Sequence, residues 1–372
     1  MPKVPIYTQG KVGSGRAQVG RISRDEPRKK KRKKMAGTVL ITGANGSLGL
    51  DFVEALLKFH PQYTLVATVR NPTPETDANT AKLHAIATRY PSSRVLIEPL
   101  DLGSLSAVRT FAQDISARIA NHTLPRLSAI VCNAFSWSLR GMQTTTDGYE
   151  ATFQISHLSH FVLILKLLGS VDTSSGRIVL LGSTAHYPEH DNPLCKLRPG
   201  LPPQDNDMGN LIRPPPDDDN DPAQVHDKGF QRYATAKLAN VMLTNDLNER
   251  LVADPKLKNI TATCMDPGGL VGSRAHVEQK AVVRTMLAGV NMLMPLLRHV
   301  TSAVRTTADA GRDLATVSVA SEFQGKRGYY VGLKENSPAQ TSLDPKERKR
   351  LWDACWKWAA ISEGETVLKN LP

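Results

Sequence analysis

Thr38-Val39-Leu40-Ile41-Thr42-Gly43-Ala44-Asn45-Gly46-Ser47-Leu48-Gly49 decides how the rest of the chain is read. A short apolar run ends in a turn with three glycines, and a helical period starts at Leu48 and lasts to Phe59. Glycines let a backbone turn tightly and approach a dinucleotide, and the helix N-terminus that follows offers free N–H groups and a positive dipole end to a pyrophosphate. A glycine triplet alone is weak evidence; the strand before it and the helix after it give it force. Thr42, Gly43, Asn45, Gly46, Leu48 and Gly49 are therefore the positions expected to meet a dinucleotide.

Outward from this turn the alternation repeats. Further strands are expected at Thr64–Val69, Arg94–Glu98, Leu127–Asn133, Arg177–Leu181 and Asn259–Met265, with helices at Thr76–Tyr90, Leu105–Ala120, Gly148–Leu168 and Phe230–Leu251. Apolar strands alternating with helices predict an α/β fold with a doubly wound parallel sheet, a Rossmann fold, in a single domain over residues 36–360. Residues 187–229 break the rhythm with nine prolines and eight aspartates, and read as a long insertion loop before the helix carrying Tyr233. Asp344-Pro345 resembles a helix cap with proline in the first turn, and Leu351, Trp352, Cys355 and Trp356 then form an apolar stripe suited to core packing.

The net charge of +12 is concentrated at one end. Residues 1–34 hold twelve Lys/Arg against Asp25 and Glu26, which leaves the remainder at +2. That removes the basic balance from any argument for specific nucleic-acid binding by the folded part. The segment is expected to be a disordered extension. Pro27 to Lys34 reads as a nuclear-localisation or polyanion-binding run, or as an incidental leader before Met35; the leader is favoured, and a nuclear location depends on the extension being used. Four separated cysteines point to neither a disulfide framework nor a zinc site and fit a reducing, cytoplasmic compartment. The apolar stretch Met286 to Leu297 is too short for a transmembrane segment and reads as a buried or cleft-lining helix.

Three further motifs carry chemistry. At the end of the second strand stands Arg70, where an NAD enzyme tends to carry an acid; arginine suits the 2′-phosphate of NADP, so NADP(H) is expected over NAD. Asp101, after the third strand, reads either as a partner for the adenine amine or as a helix cap. Tyr233 and Lys237 lie four apart on one helix, so phenol and ammonium share a face and the cation favours the phenolate. Ser183 closes the fifth strand at the edge where open α/β sheets bind ligands. His157 and His160 share a helix face, but no carboxylate or cysteine completes a metal site; packing or water is the expected role.

Taken together, Thr42–Gly49, Cys132-Asn133-Ala134, Ser183 and Tyr233/Lys237 resemble the short-chain dehydrogenase/reductase family over residues 38–335. The runs Gly229–Leu251 and Asp266-Pro267-Gly268-Gly269 are similar to retinol-dehydrogenase-like members and to fungal secondary-metabolism reductases. The resemblance implies that Tyr233 protonates a carbonyl oxygen, Ser183 positions it, and Lys237 lowers the Tyr233 pKa and binds the nicotinamide ribose. It also implies that Asn133 steadies the cofactor-side backbone and that Pro267 and Gly268 start a loop over the nicotinamide. Three departures stand out: Phe135 replaces the glycine of Asn-Ala-Gly, Ser156 replaces an asparagine that helps hold a water linking to the lysine, and 50 residues separate Ser183 from Tyr233.

The expected function is therefore an NADP(H)-dependent reductase interconverting a carbonyl and an alcohol on a small apolar substrate, in secondary metabolism. The alternative is a non-catalytic NADP-binding redox sensor. The expected partners are the small-molecule substrate and a second copy in a homo-oligomer.

Overall fold

In the computed structural model, Gly37–Ile41 form β1 and Ser47–Phe59 form α1, with the glycine-rich turn between them. The structure describes residues 36–191, 195–204, 206–218, 220–270, 273, 274, 279, 285, 289, 304–362 and 364–369. Gly43 has φ +64°, and a Cβ there would come within 3.0 Å of the Ala134 Cα. A Cβ on Gly49 would stand 2.5 Å from the Gly43 carbonyl oxygen. Neither position tolerates a side chain, because backbone rather than a flexible side chain is in the way.

Five parallel neighbours follow: β2 (Tyr63–Val69), β3 (Arg94–Pro99), β4 (Leu127–Cys132), β5 (Arg177–Leu181) and β6 (Thr261–Asp266). Then come the two-residue strands β7 (Gly269–Leu270) and β8 (Val304–Arg305), which pair with each other, and β9 (Gly328–Val331) and β10 (Lys334–Glu335). The main sheet has the order β10-β9-β6-β5-β4-β1-β2-β3 and is parallel except for β10. Chain order reverses between β1 and β4, and that reversal opens the ligand crevice of such sheets.

Successive strand residues point to opposite faces, so each face buries its own cluster. Leu40, Ile130 and Ile178 face α3 (Leu105–Ala120), α4 (Ala151–Ser170) and α5 (Pro222–Ala253). Val39, Ile41 and Val131 face α1, α2 (Ala78–Arg89) and α6 (Thr307–Val319). Helix α4 is long and apolar enough to cross a membrane by length and composition, but 89% of its apolar window is buried in the fold, which makes it a core helix. The stripe on α7 (Pro345–Trp358) is core as expected: Asp344 caps the helix, and Leu351, Trp352 and Cys355 are buried.

Some expectations need correction. Helix α4 starts at Ala151 rather than Gly148, because the Glu150 carboxylate accepts the Thr152 N–H (3.0 Å) and the Phe153 N–H (2.7 Å) and so sets its first turn. The insertion is shorter than 187–229. Helix α5 begins at Pro222, with the Asp221 carboxylate accepting from Ala223 and Gln224 and proline in the first turn. Helix α6 and strand β9 were not expected. At Gly311 a Cβ would stand 2.7 Å from the Phe52 nitrogen, so α6 meets α1 backbone to backbone there, while Leu314 and Val317 enter the same core cluster. Residues 1–34 and nearly all of 286–297 lie outside the described residues.

The insertion is tied to the helix it precedes. Arg232 forms a two-point ion pair with Asp217 at 2.9 and 2.9 Å and lies 3.6 Å from Glu150. Both carboxylates are almost fully shielded from water. Burial pushes the Glu150 carboxyl upward, and Arg232 opposes that. Arg232→Met removes the counter-charge from two buried acids and is expected to cost about 3–5 kcal/mol in urea unfolding. A loss below about 1 kcal/mol would put this pair with ordinary surface ion pairs.

Candidate active site

Six parallel strands deliver Thr42, Arg70, Asp101, Asn133, Ser183 and Asp266 at or just past their carboxyl ends, on one edge of the sheet. The Thr42 hydroxyl joins three elements there. It accepts the backbone N–H groups of Asn133 and Ala134, each at 3.0 Å, and meets His160 Nε2 at 2.9 Å. His160 Nδ1 faces the Ser156 carbonyl at 3.3 Å, so Nδ1 carries the proton and Nε2 accepts from Thr42. The Asn133 side chain donates to the Thr42 and Gly43 carbonyls at 2.9 and 3.1 Å. Asn133 thus braces the glycine-rich turn from β4.

A second network starts from the π-turn Gln154–Leu158 inside α4. The Ser156 hydroxyl accepts the Ser136 N–H and donates to the Ser136 carbonyl, both at 3.2 Å. The Ser156 hydroxyl, which stands where the family asparagine helps hold a water and which the resemblance placed among the catalytic residues, is thus bonded to the Ser136 backbone as both acceptor and donor. Asn240, a residue not anticipated, fills the gap. Its amide donates to the Ser156 and Leu181 carbonyls, each at 3.2 Å, and its oxygen accepts from His157 Nδ1 at 2.9 Å. His157 Nε2 then faces the Cys355 thiol at 3.4 Å. Both histidines are bonded to protein groups rather than simply packed, and among the described residues no cluster suits a metal.

The Lys237 ammonium donates to the same Leu181 carbonyl at 3.0 Å and lies 5.3 Å from the Phe135 ring centre and 5.6 Å from that of Tyr233. Burial brings Lys237 down to about 8. Tyr233 is ringed by Trp137 (4.9 Å between centroids), Phe135 (5.7 Å) and Phe230 (5.9 Å). This dry setting pushes Tyr233 up to about 12, against the pull of Ser183 and with the help of the Asp266 charge. The resemblance led to the expectation that Lys237 lowers Tyr233; here the ammonium is aimed at a carbonyl and two ring faces, and the net direction for Tyr233 is upward, with burial the largest cause. Phe135, 39% exposed, stands over that ammonium at the cleft mouth.

The remaining expected positions spread along the edge. Arg70 is exposed, with no hydrogen bond or ion pair to it among the described residues. Asp101 accepts the Gly103 N–H at 2.8 Å, while Ser104 caps α3, so the cap reading of Asp101 is wrong. Asn45 turns its amide to Asp77 and Thr80 of the α2 start, and its carbonyl accepts from the Arg274 guanidinium at 2.6 Å. The N-cap of α1 is a glycine, so no N-cap side chain bonds its first turn. Gly46 precedes that turn, and Leu48 sits partly buried within it. Pro267 and Gly268 (φ +81°) turn the chain away from β6.

A family model described as the AcuH dehydrogenase domain matches residues 272–368. The short-chain dehydrogenase iccH of Talaromyces variabilis is 30% identical, over 90% of this chain and 98% of its own length. Human retinol dehydrogenase 14 is 27% identical, over 85% and 84%. Among solved structures, a short-chain dehydrogenase/reductase from Serratia marcescens has a TM-score of 0.53 at 15% identity, covering 82% of this chain and 100% of that one. The angucycline C-6 ketoreductase LanV with bound NADP has a TM-score of 0.54 at 12% identity, covering 81% and 95%.

Three buried imidazoles are hydrogen-bonded in the neutral form. Burial holds His160 near 3, and His157 and His186 near 4, against an ordinary 6.5. Below pH 6.5 the unfolded chain takes up these protons and the folded one does not. Stability is thus expected to fall as pH drops from 6.5 towards 4, by on the order of 1 kcal/mol per pH unit for each histidine. His160→Gln should flatten the pH dependence of the melting temperature over this window; an unchanged slope would remove His160 from the cause.

Proposed function

The chain belongs to the short-chain dehydrogenase/reductase family of oxidoreductases, and from that premise we propose that it reduces a carbonyl on a small apolar substrate with NADPH, or runs the reverse oxidation with NADP⁺. The observation that carries the reading is that Tyr233 and Lys237, one helical turn apart, both meet the Phe135 ring, and the neighbouring Ala134 closes on Gly43 of the cradle. The residues present fit a dinucleotide: a Cβ at either glycine would meet the backbone of the cradle, and the first turn of α1 has no side-chain cap. Arg70, exposed at the end of β2, supports NADP(H) over NAD(H) through pairing with a 2′-phosphate.

When bound, the nicotinamide supplies the hydride. Ser183 orients the substrate oxygen, and the Tyr233 phenol, kept protonated by its dry surroundings, donates its proton to that oxygen as charge develops there. Lys237 and Asn240 share the Leu181 carbonyl, which fixes the helix carrying Tyr233 against β5. Phe135, Trp137 and Phe230 give the space around the phenol apolar walls that favour an apolar substrate over a charged one. The likeness of Gly229–Leu251 to fungal secondary-metabolism reductases supports a role in such a pathway.

Tyr233→Phe is expected to lower kcat on a reducible ketone by about 10²–10⁴-fold, the contribution of a positioned general acid, with NADPH affinity nearly unchanged. Wild-type protein that binds NADPH but turns over no member of a ketone and alcohol panel would instead be a redox sensor. Arg70→Asp should weaken NADPH by about 1.5–3 kcal/mol, the range for hydrogen bonds to charged groups, and leave NADH little changed. Equal losses, measured by fluorescence titration, would take Arg70 out of the phosphate site.

A further inference from the structure

Ser183 leaves β5 at the rim of the crevice, and the turn after it is held by a side chain from that same turn. The imidazole of His186 is buried and makes two hydrogen bonds. Nδ1 meets the Ser183 carbonyl oxygen at 2.7 Å. Nε2 meets the backbone N–H of Ala339 at 3.1 Å, from a residue 153 positions further along the chain. A backbone N–H can only donate, so Nε2 accepts and the ring proton sits on Nδ1. The imidazole is therefore neutral and donates to the Ser183 carbonyl. The Ser183 hydroxyl accepts the Ala185 N–H at 3.2 Å, so side chain and carbonyl are both fixed within one short turn.

The segment beyond this bond is fastened in its turn. The Tyr187 hydroxyl donates to the Ser337 carbonyl at 2.6 Å, and the Gln340 N–H donates to Glu189 Oε1 at 3.1 Å. The Ser342 hydroxyl donates to the Ala339 carbonyl at 2.6 Å, and the Asn245 amide donates to the Ser342 carbonyl at 2.9 Å. Asn245 belongs to α5, the helix that carries Tyr233. The rings of Tyr187 and Tyr329 lie against the imidazole, with centroids 3.9 and 4.8 Å away, and hold its plane. Hydrogen bonds thus run from Ser183 through His186, Ala339 and Ser342 to Asn245. This route is separate from the one that joins α5 to β5 through Asn240 and Leu181.

We propose that His186 is a positioning residue of this site: its imidazole ties the Ser183 carbonyl to Ala339, and so holds the serine in register with the helix that carries Tyr233. The catalytic side of the proposal rests on the reductase reading above, in which Ser183 orients the substrate oxygen; the hydrogen-bonding side does not.

The test uses the full chain and two variants. His186→Phe keeps a ring and removes both polar atoms. Tyr187→Phe removes a bond to the same segment and leaves the imidazole in place. In the parent, ¹⁵N NMR of the His186 ring, assigned through bonds from its own backbone, is expected to show the proton on Nδ1 at neutral pH; a proton on Nε2 would overturn the proposal. In His186→Phe the ¹³C signal of the Ser183 carbonyl should move upfield, the direction of a lost hydrogen bond, and in Tyr187→Phe it should stay. An unmoved signal in His186→Phe, or equal movement in both, would overturn the tie to Ser183. On a ketone that the parent reduces, kcat should fall about tenfold in His186→Phe with KM nearly constant, and stay within about twofold in Tyr187→Phe. Equal losses in the two variants, or a higher KM at constant kcat, would overturn the positioning role. A parent that reduces no ketone contradicts the reductase reading, and the proposal is then decided by the ring proton and the carbonyl shift. If His186→Phe does not fold, His186→Gln takes its place with the same expectations, because it offers Ala339 an acceptor and withdraws the donor from Ser183.

Discussion

The Thr42 hydroxyl is saturated: two backbone N–H groups donate to it, and it donates to His160 Nε2. Because every lone pair and its proton are used, the ends of β1 and β4 and the middle of α4 are held in one arrangement. The network continues from His160 to the Ser156 carbonyl, through Asn240 to the Leu181 carbonyl, and so to Lys237. The glycine cradle and the helix bearing Tyr233 are thereby coupled across the crevice. Such a network is strong only while complete, since each buried polar group that loses its partner costs about 1–3 kcal/mol. Neutral histidines are the condition for it, because a protonated His160 has no acceptor left for Thr42.

The same dryness sets the chemistry. Burial drives Tyr233 up to about 12 and Lys237 down to about 8, so both are pushed towards their uncharged forms. A phenol held as an acid is prepared to give a proton to a carbonyl oxygen, which suits reduction.

What was legible in the sequence were features whose cause is local. Leu105–Ala120 and Arg177–Leu181 appear with the expected bounds, because amphipathic period and β-branched runs set them directly. The Asp221-Pro222 cap was equally local, but lay hidden within a proline- and aspartate-rich stretch read by its composition. Helix α6 comes against α1 at Gly311, a close approach between two helices that lie far apart in the chain and that local pattern does not reveal. Asn240 and the bond from His160 to Thr42 could not be picked out: the carbonyls that Asn240 reaches lie 59 and 84 residues away, and Thr42 lies 118 residues from His160. The direction of Lys237 was likewise invisible, since spacing places the ammonium on the same helix face as the phenol but does not say that a carbonyl of β5 takes it.

The central claim is hydride transfer within this cleft. It is tested most directly by single turnover with NADPH carrying deuterium at the transferring position of the nicotinamide. Reduction at this site predicts one deuterium on the carbinol carbon of the alcohol and an oxygen-bound hydrogen drawn from solvent. Alcohol formed without deuterium, or tightly bound NADPH that never reduces a carbonyl, would contradict it.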